Sequence, residues 1–243
     1  MKTKPILLLI LLTLKVYSQT EVNKTIVFQL GQTITMHFDY PELIKISTWD
    51  KNEISITGTV SINGGENDDA FSLESSVNGK EVSIEGEIRN LKSLPHRITI
   101  WHDGQKMMFK TEADYKKYQH EHGRDYNSMN WGTDFDIFLV IKVPKNVETK
   151  VLSTYGTIEI KDFTGPLVAE STYGGVDAAL TEKLVGDLKA AVNYGDIYTN
   201  FDFKFSGGEF GDFHTVVNAK PGSGPRYSFE SKYGNVYLRK SLN

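Results

Sequence analysis

Apolar and polar residues alternate along most of the first hundred residues, which is the pattern of half-buried β-strands. The alternation is strictest over residues 53–62 (EISITGTVSI), and a similar phrase recurs at residues 82–88 (VSIEGEI). Asn78-Gly79 precedes the second phrase and is a strong hairpin signal, because both residues tolerate positive φ. Shorter alternating segments lie at residues 25–30, 33–38 and 43–48. Residues 19–100 are therefore predicted to form an N-terminal region of β-strands and hairpins.

From Val151 onward an aromatic residue followed by glycine recurs at intervals of 18, 21, 16 and 23 residues. One copy is Phe210-Gly211, and the others begin with Tyr155, Tyr173, Tyr194 and Tyr233. Self-similarity with a period of about 20 residues is typical of a solenoid in which each repeat forms one coil. At ~3.3 Å per residue such a coil measures roughly 60 Å around, enough for two or three short strands. Residues 135–243 are thus predicted to form an all-β, parallel β-helix or solenoid.

Alignment on the repeated glycine also predicts which residues face the core. The position two residues after it holds Ile158, Val176, Ile197, Phe213 and Val236. We expect consecutive coils to place these side chains one above the other and to bury them in register. Helical repeats are disfavoured, because the segment is rich in Gly, Val, Thr and Tyr, mostly alternates with period 2 and lacks continuous apolar stripes at i, i+4 spacing.

Residues 101–134 interrupt the β pattern with a polar insertion. Residues 111–122 (TEADYKKYQHEH) predict a short helix capped by Thr111 and ended by Gly123, or else a mobile excursion. The low apolar content places this segment on the surface. Residues 135–143 (FDIFLVIKV) then return to a buried strand.

The first eighteen residues have the layout of a secretory signal peptide. Lys2 and Lys4 precede an apolar run at residues 6–14, and Val16-Tyr17-Ser18 offers a cleavage site. The run is too short to cross a bilayer as a helix. Cleavage after Ser18 removes three of the 27 basic residues and none of the 31 acidic ones, which leaves 225 residues with net charge −7. We therefore expect an extracytoplasmic protein (periplasmic, surface-located or secreted) with no membrane span after cleavage.

This composition excludes several classes of protein. An acidic chain without basic clusters is poorly suited to bind nucleic acid. The chain contains no cysteine, which excludes disulfides, thiol catalysis, cysteine-ligated zinc and a lipid anchor on cysteine. About 225 residues can nevertheless supply an adequate core without disulfides.

Three segments of the chain resemble the putative-adhesin family of bacterial envelope proteins. They are residues 141–147 (IKVPKNV), 153–160 (STYGTIEI) and 171–178 (STYGGVDA). The resemblance extends over residues 137–240 and, more loosely, over residues 43–100. It implies a right-handed β-helix-like fold, an extracytoplasmic location and a role in adhesion, and it brings no catalytic residues.

The repeated tyrosines are the candidate ligand-binding residues. In an extended strand each ring points away from the core-facing residue three positions later, so stacked coils would form an outward ladder with steps of ~4.8 Å. Such a stripe is suited to bind glycan rings or an extended peptide. Alternatively, the glycine bends the strand at a corner and turns the rings inward or against a neighbouring segment. We expect this packed arrangement of Tyr155, Tyr173, Tyr194 and Tyr233.

Two polar clusters contain metal-ligand residue types, but neither matches the spacing of a known site. The first comprises His102, Asp103, His120 and His122; on a helix the last two imidazoles would diverge, whereas on a strand they would share a face. The second lies in residues 63–69 (NGGENDD) and lacks the spacing of a calcium loop; its oxygen donors are Asn63, Glu66, Asp68 and Asp69. We expect no metal and no cofactor.

A β-helix enzyme that cleaves acidic polysaccharides is the alternative to a non-catalytic role. It would need paired carboxylates in one groove. Two outward columns of the repeats contain them, one with Asp196 and Asp212 and the other with Glu159 and Asp177. No column of Arg or Lys accompanies them, and the serine-hydrolase, P-loop and zincin motifs are absent from the sequence. We therefore expect a non-catalytic envelope protein that binds an unknown glycan or envelope protein or has a structural role. The oligomeric state stays open.

Overall fold

The computed structural model describes residues 19–210 and 213–241, and at residues 207–210 it describes the backbone alone. The predicted signal peptide at residues 1–18 lies outside the described residues, as do Gly211 and Asp212. Within the described ranges, no helix is both long and apolar enough to cross a membrane.

The first large sheet contains eight strands and is mixed. Its spatial order is β1 (Thr20–Val27), β4 (Glu53–Ile62), β10 (Phe135–Pro144), β3 (Leu43–Trp49), β12 (Thr157–Lys161), β14 (Val176–Leu180), β20 (Val236–Lys240) and β16 (Ile197–Thr199). Strand β4 pairs antiparallel with both β1 and β10, whereas the strands from β10 to β16 pair in parallel.

The second large sheet contains nine strands and is also mixed. Its spatial order is β17 (Ser206–Phe210), β18 (Thr215–Ala219), β15 (Leu188–Val192), β19 (Tyr227–Ser231), β13 (Leu167–Ser171), β11 (Thr149–Ser153), β2 (Thr33–Phe38), β6 (Glu81–Ile88) and β5 (Phe71–Asn78). The strands from β15 to β6 pair in parallel, and antiparallel pairs lie at both edges.

Each of the four repeats that contain one of the repeated tyrosines contributes one strand to each large sheet, and the inward side chains of both sheets form one core. Ile158, Val176 and Val236 are fully buried and paired in register, as the repeat alignment predicts. Ile197 follows Val236 at the edge of the first sheet and is only half-buried. The prediction for Phe213 is wrong, because this side chain is 67% exposed.

The spatial order of the repeats differs from their order along the chain. The last repeat, β19 and β20, pairs with β13 and β14 on one side and with β15 and β16 on the other. It therefore lies between two repeats that precede it in the sequence.

The predicted all-β class is confirmed, but the predicted parallel β-helix or solenoid is wrong. A solenoid would add every repeat as a parallel coil, whereas these sheets are mixed. The segment around Phe210 forms the antiparallel hairpin β17–β18 instead of a coil. Strands from residues 19–100 and from residues 135–243 lie in the same two sheets. The domain boundaries proposed from the sequence stay predictions.

The polar insertion forms a small sheet and a helix. The sheet has the order β8 (Gln105–Phe109), β7 (Arg97–His102) and β9 (Ser128–Gly132), and the helix α1 spans Glu112–His122. The Thr111 hydroxyl caps the helix by accepting a hydrogen bond from the Asp114 backbone, and Gly123 ends it, as predicted. Short 3₁₀ turns lie at Asp68–Ala70, Leu91–Ser93 and Glu182–Leu184.

The insertion has its own small core and is tied to the large sheets by charge. Ile98, Ile100 and Tyr115 form the buried cluster between its sheet and α1. The Lys106 ammonium lies 2.8 Å from the carboxylates of both Asp134 and Asp136, which adjoin the start of β10. This contact holds the insertion against one end of the first sheet.

Candidate binding surface

A column of stacked aromatic rings runs across the corner where each second-sheet strand leads into a first-sheet strand. Tyr155 and Tyr173 have ring centroids 5.0 Å apart, and Tyr233 lies 5.1 Å from both Tyr173 and Tyr194. The planes within these pairs differ by 6 to 13°. Tyr40 extends the column with its centroid 5.0 Å from that of Tyr155. We call these five residues the tyrosine ladder, in the order Tyr40, Tyr155, Tyr173, Tyr233 and Tyr194.

Two phenylalanines flank the tyrosine ladder. The Phe135 ring stacks on Tyr40 with a centroid distance of 4.7 Å. The Phe213 ring is tilted against Tyr194 at 5.5 Å. One row therefore brings together rings from four parts of the chain: the β2–β3 corner, the start of β10, the repeats and the segment that precedes β18.

The rings lie on the surface, so the expectation that they pack inward is wrong. Tyr155, Tyr173, Tyr194 and Tyr233 are 44 to 56% exposed, and Tyr40 is half-buried. Their order also differs from the predicted one, because Tyr233 from the inserted last repeat stands between Tyr173 and Tyr194. All four tyrosines chosen from the sequence are thus brought into one surface row.

A buried serine two residues before the tyrosine shapes each of the central corners. The Ser171 hydroxyl donates to the Gly156 carbonyl at 2.9 Å and accepts from the Gly174 N–H at 3.0 Å. The Ser231 hydroxyl likewise donates to the Gly174 carbonyl at 2.7 Å and accepts from the Gly234 N–H at 2.9 Å. Each serine therefore closes its own turn and ties it to the neighbouring repeat in the sheet. The tyrosine two positions later points outward.

The glycine after each tyrosine is required by the close approach of neighbouring backbones. A Cβ atom on Gly174 would lie 2.3 Å from the Gly156 carbonyl oxygen, and one on Gly234 would lie 2.4 Å from the Gly174 carbonyl oxygen. Backbone hydrogen bonds continue through the corner, from Tyr173 N–H to the Thr154 carbonyl and from Tyr233 N–H to the Thr172 carbonyl. This continuous pairing fixes the spacing of the rings at about one strand separation.

Sequence reasoning missed Tyr40 and Phe135. Tyr40 is followed by Pro41 rather than glycine, so it does not match the aromatic-glycine repeat. A weaker signal was nevertheless present, because an alternating segment follows each tyrosine, three residues after Tyr40 and two residues after Tyr155, and these segments (43–46 and 157–160) pair in register. Phe135 has no such signal, since it begins β10 outside the repeats.

The stacked geometry determines what the ladder can contact. Neighbouring rings cover each other's faces, so a ligand meets mainly ring edges and phenol hydroxyl groups. Burial, together with the nearby Tyr155 and Asp39, raises the pKa of Tyr40 above its ordinary value. The Tyr40 phenol therefore stays protonated at neutral pH and is available both to donate and to accept hydrogen bonds.

Polar side chains border the ladder on the second-sheet side. The Thr154 hydroxyl donates to the Asp39 carboxylate at 3.0 Å, and His37 lies 3.5 Å from the same carboxylate. The Lys232 ammonium lies 5.4 Å from the centroid of the Tyr233 ring. These groups surround the aromatic row with hydrogen-bonding partners of both signs of charge.

Three of the four candidate catalytic carboxylates lie in the described part of the chain, and two of these, on the outer face of the first sheet, have ion-pair partners. Glu159 lies 3.4 Å from the Lys45 ammonium, and Asp177 lies 2.7 Å from the Arg239 guanidinium. Partial burial raises the pKa of Asp177 even though Arg239 opposes the shift, and neighbouring Glu159 raises it further. The Tyr198 hydroxyl donates to Asp196 at 3.2 Å, whereas Asp212 is outside the described residues.

Several of the candidate metal ligands contact other groups of the protein. The Asp68 carboxylate accepts hydrogen bonds from the Ile62 and Thr20 backbones at 2.6 and 3.2 Å. Hydrogen bonds from Lys110 and Arg97 hold the pKa of Glu66 below its ordinary value. Of the histidines, His122 stacks on Tyr118, and His102 lies 3.5 Å from Asp103. The part of the chain that the structure describes contains no group of three or more His, Asp or Glu residues placed to hold a metal.

No family model and no curated protein matches this chain. A crystal structure of a putative cell adhesion protein from Clostridium sporogenes is similar with a TM-score of 0.45 and 11% identity, over 92% of this chain and 100% of that one. A putative adhesin from Bacteroides fragilis is similar with a TM-score of 0.22 and 9% identity, over 92% of this chain and 98% of that one. Both carry names of adhesion proteins, but TM-scores this low assign neither a family nor a function to this chain.

The buried serines predict a specific cost of mutation at the corner. Ser231→Ala removes two hydrogen bonds and leaves the Gly174 carbonyl and the Gly234 N–H without this partner, so we expect a loss of about 1–3 kcal/mol in the free energy of unfolding. Ser228→Ala, on the outer side of the same strand, is the matched control and should change little. Urea unfolding measures both, and equal losses would contradict the role given to Ser231.

The surface stacking predicts a moderate cost when a central ring is removed. Tyr173→Ala deletes contacts with both Tyr155 and Tyr233, each worth about 0.5–1.5 kcal/mol beyond burial, so we expect a destabilisation of about 1–3 kcal/mol. Tyr198→Ala is the control, because Tyr198 is similarly exposed (49% against 53%) and stacks on Tyr237 outside the ladder. We expect its loss in thermal unfolding to be smaller, and a larger loss for Tyr198→Ala would refute the ladder as a stabilising element.

Proposed function

We propose that this chain is an exported, non-catalytic, adhesin-like protein whose tyrosine ladder binds a linear neutral glycan. The observation that supports the proposal is the row of five tyrosines, four of them about half-exposed, at steps of 5.0 to 5.1 Å. Large exposed apolar patches are rare on proteins, and where they occur they often mark interaction sites.

The step between rings favours a glycan over an extended peptide. Side chains on one face of an extended peptide repeat every two residues, or about 6.6 Å, and would fall out of register with the rings. A pyranose unit in an extended glycan advances the chain by about the length of one sugar ring, which is close to the 5.0 Å step. The four steps from Tyr40 to Tyr194 thus offer about 20 Å of contact, room for four or five sugar units.

The groups that the ladder presents also suit a glycan. Because the ring faces are covered, binding relies on phenol hydroxyls and on the bordering polar groups, which pair well with sugar hydroxyls. Water-bridged contacts along such an open row add to the direct hydrogen bonds. The net charge of −7 expected after signal cleavage disfavours acidic polysaccharides, which the protein would repel.

Conservative substitution separates hydroxyl recognition from ring stacking. Tyr173→Phe keeps the stack but removes one hydroxyl, and the loss of a neutral hydrogen bond of about 0.5–1.5 kcal/mol should weaken binding by roughly 2- to 12-fold. Affinity is measured by calorimetry with cellohexaose, N-acetylchitohexaose and xylohexaose. Tyr198→Phe removes the hydroxyl of a comparably exposed tyrosine outside the ladder and should leave the affinity unchanged.

Two results would contradict the ladder as a glycan site. One is that none of these hexasaccharides binds while an extended peptide does. The other is that Tyr173→Phe and Tyr198→Phe behave alike. A retained affinity in Tyr173→Ala would also refute the proposal, since that variant lacks both ring and hydroxyl.

The proposed exported location has a separate test. The apolar run at residues 6–14 and the Val16-Tyr17-Ser18 segment support removal of a signal peptide, with Gln19 as the new N-terminus. Intact-mass analysis of the protein from the native envelope fraction should give a chain that begins at Gln19. A chain that retains Met1, or a protein found only in the cytoplasm, would refute export.

A further inference from the structure

A cleft of 790 Å³ lies at the opposite ends of the strands from the tyrosine ladder. It forms where strands of the first sheet end and the wide turns lead back into the second sheet. Trp49 and Asp162 contribute to it from the ends of β3 and β12, and Leu184 and Pro225 contribute from turns of later repeats. Its volume lies within the range of small-molecule binding sites, about 300–1,000 Å³.

The base of the cleft is apolar and firmly held. Phe163 and Tyr227 line it and are 5% and 3% exposed, and the Tyr227 hydroxyl donates to the Phe163 carbonyl at 3.3 Å. Burial raises the pKa of Tyr227, so this phenol stays a protonated donor. The base is thus a preformed surface of two aromatic side chains.

Trp49 and Leu184 supply apolar walls that solvent reaches. The Trp49 indole N–H donates to the Glu53 carbonyl at 2.8 Å, which satisfies its polar atom and fixes the ring. Lys51, which does not line the cleft, lies over the same ring with its ammonium 4.6 Å from the centroid. Leu184 is 55% exposed and lines the cleft, so its side chain is accessible to a ligand there.

The rim of the cleft is polar and balanced in charge. Asp50 and Lys145 form an ion pair of 2.8 Å, and Asp162 and Lys183 add one charge of each sign. Hydroxyl groups complete the rim: Thr48 and Thr164 are hydrogen-bonded to each other at 3.2 Å, and Thr181, Ser223 and Ser241 also line the cleft. A neutral ligand with many hydroxyls matches this rim. A charged ligand would be repelled by the two rim charges of its own sign, which offset the attraction of the other two.

We propose that this cleft binds a small neutral saccharide of one to three sugar units. The apolar face of a pyranose ring packs on the aromatic and aliphatic walls, and its hydroxyls pair with the rim. A wholly apolar ligand would remove the Thr181 and Ser223 hydroxyls from water without replacing their hydrogen bonds, at a cost of about 1–3 kcal/mol for each group. The proposal is independent of the ladder, because the two sites lie at opposite ends of the strands and differ in shape.

The experiment is saturation-transfer NMR on the purified full-length protein with maltose, cellobiose and N,N′-diacetylchitobiose as separate probes. We expect at least one probe to bind the wild-type protein. Leu184→Arg places a long charged side chain at the cleft and should weaken that binding by at least about ten-fold. Leu30→Arg is the matched control, because Leu30 is an 89% exposed leucine that does not line the cleft, and its binding should equal that of the wild type.

Tyr173→Ala separates this site from the ladder and should bind the same disaccharide as tightly as the wild type. Trp49→Ala supplies a second cleft variant and should also weaken binding, with circular dichroism to confirm that it folds. The proposal is overturned if no disaccharide binds, if Leu184→Arg binds like Leu30→Arg, or if Tyr173→Ala abolishes the signal. Tighter binding of an acidic uronate disaccharide would overturn the assigned ligand class.

Discussion

Neighbouring repeats meet backbone to backbone at their glycine corners, and the tyrosine ladder depends on this contact. With Cβ positions only 2.3 and 2.4 Å from carbonyl oxygens, Gly174 and Gly234 admit no side chain. Ser171 and Ser231 then bind the carbonyls that this approach brings near, and the parallel pairing passes through the corner without a break. Each tyrosine consequently stands at a fixed distance from the next, and the surface row follows from backbone sterics.

The same contact explains why the rings face outward although we expected them to be packed. Alternation in a strand correctly places each tyrosine on the side opposite the core. What it could not show is whether the bend at the following glycine turns the ring inward. The structure resolves it through the serine side chain, which fills the inner side of the corner at Ser153, Ser171 and Ser231 with buried hydroxyl groups. Where Val192 replaces serine, Tyr194 still stacks on Tyr233, because the backbone pairing continues through Tyr194.

Local patterns predicted many strands, the helix caps and the buried positions of Ile158, Val176 and Val236, because each depends on residues that are close in the sequence. The spatial order of the repeats could not be predicted in this way. Strand β19 pairs with β13 and β15 in the same register, through Tyr227 with Leu167 and Leu188, so the apolar pattern suits either neighbour equally. Long-range antiparallel pairs such as β4 with β10 were missed for the same reason. The cleft was also missed, since its residues come from turns far apart in the chain.

The inserted position of the last repeat constrains how the chain folds. Strands β15 and β16 join the sheets through β19 and β20, which are synthesised after them. Until those residues leave the ribosome, β13 and β14 present open edges to other chains, and open edges are prone to aggregation. Pairing across so many residues also slows folding, because loop closure precedes the contacts that reward it. A nascent chain of this protein therefore gains a protected edge at β13 and β14 only after β19 and β20 have been synthesised.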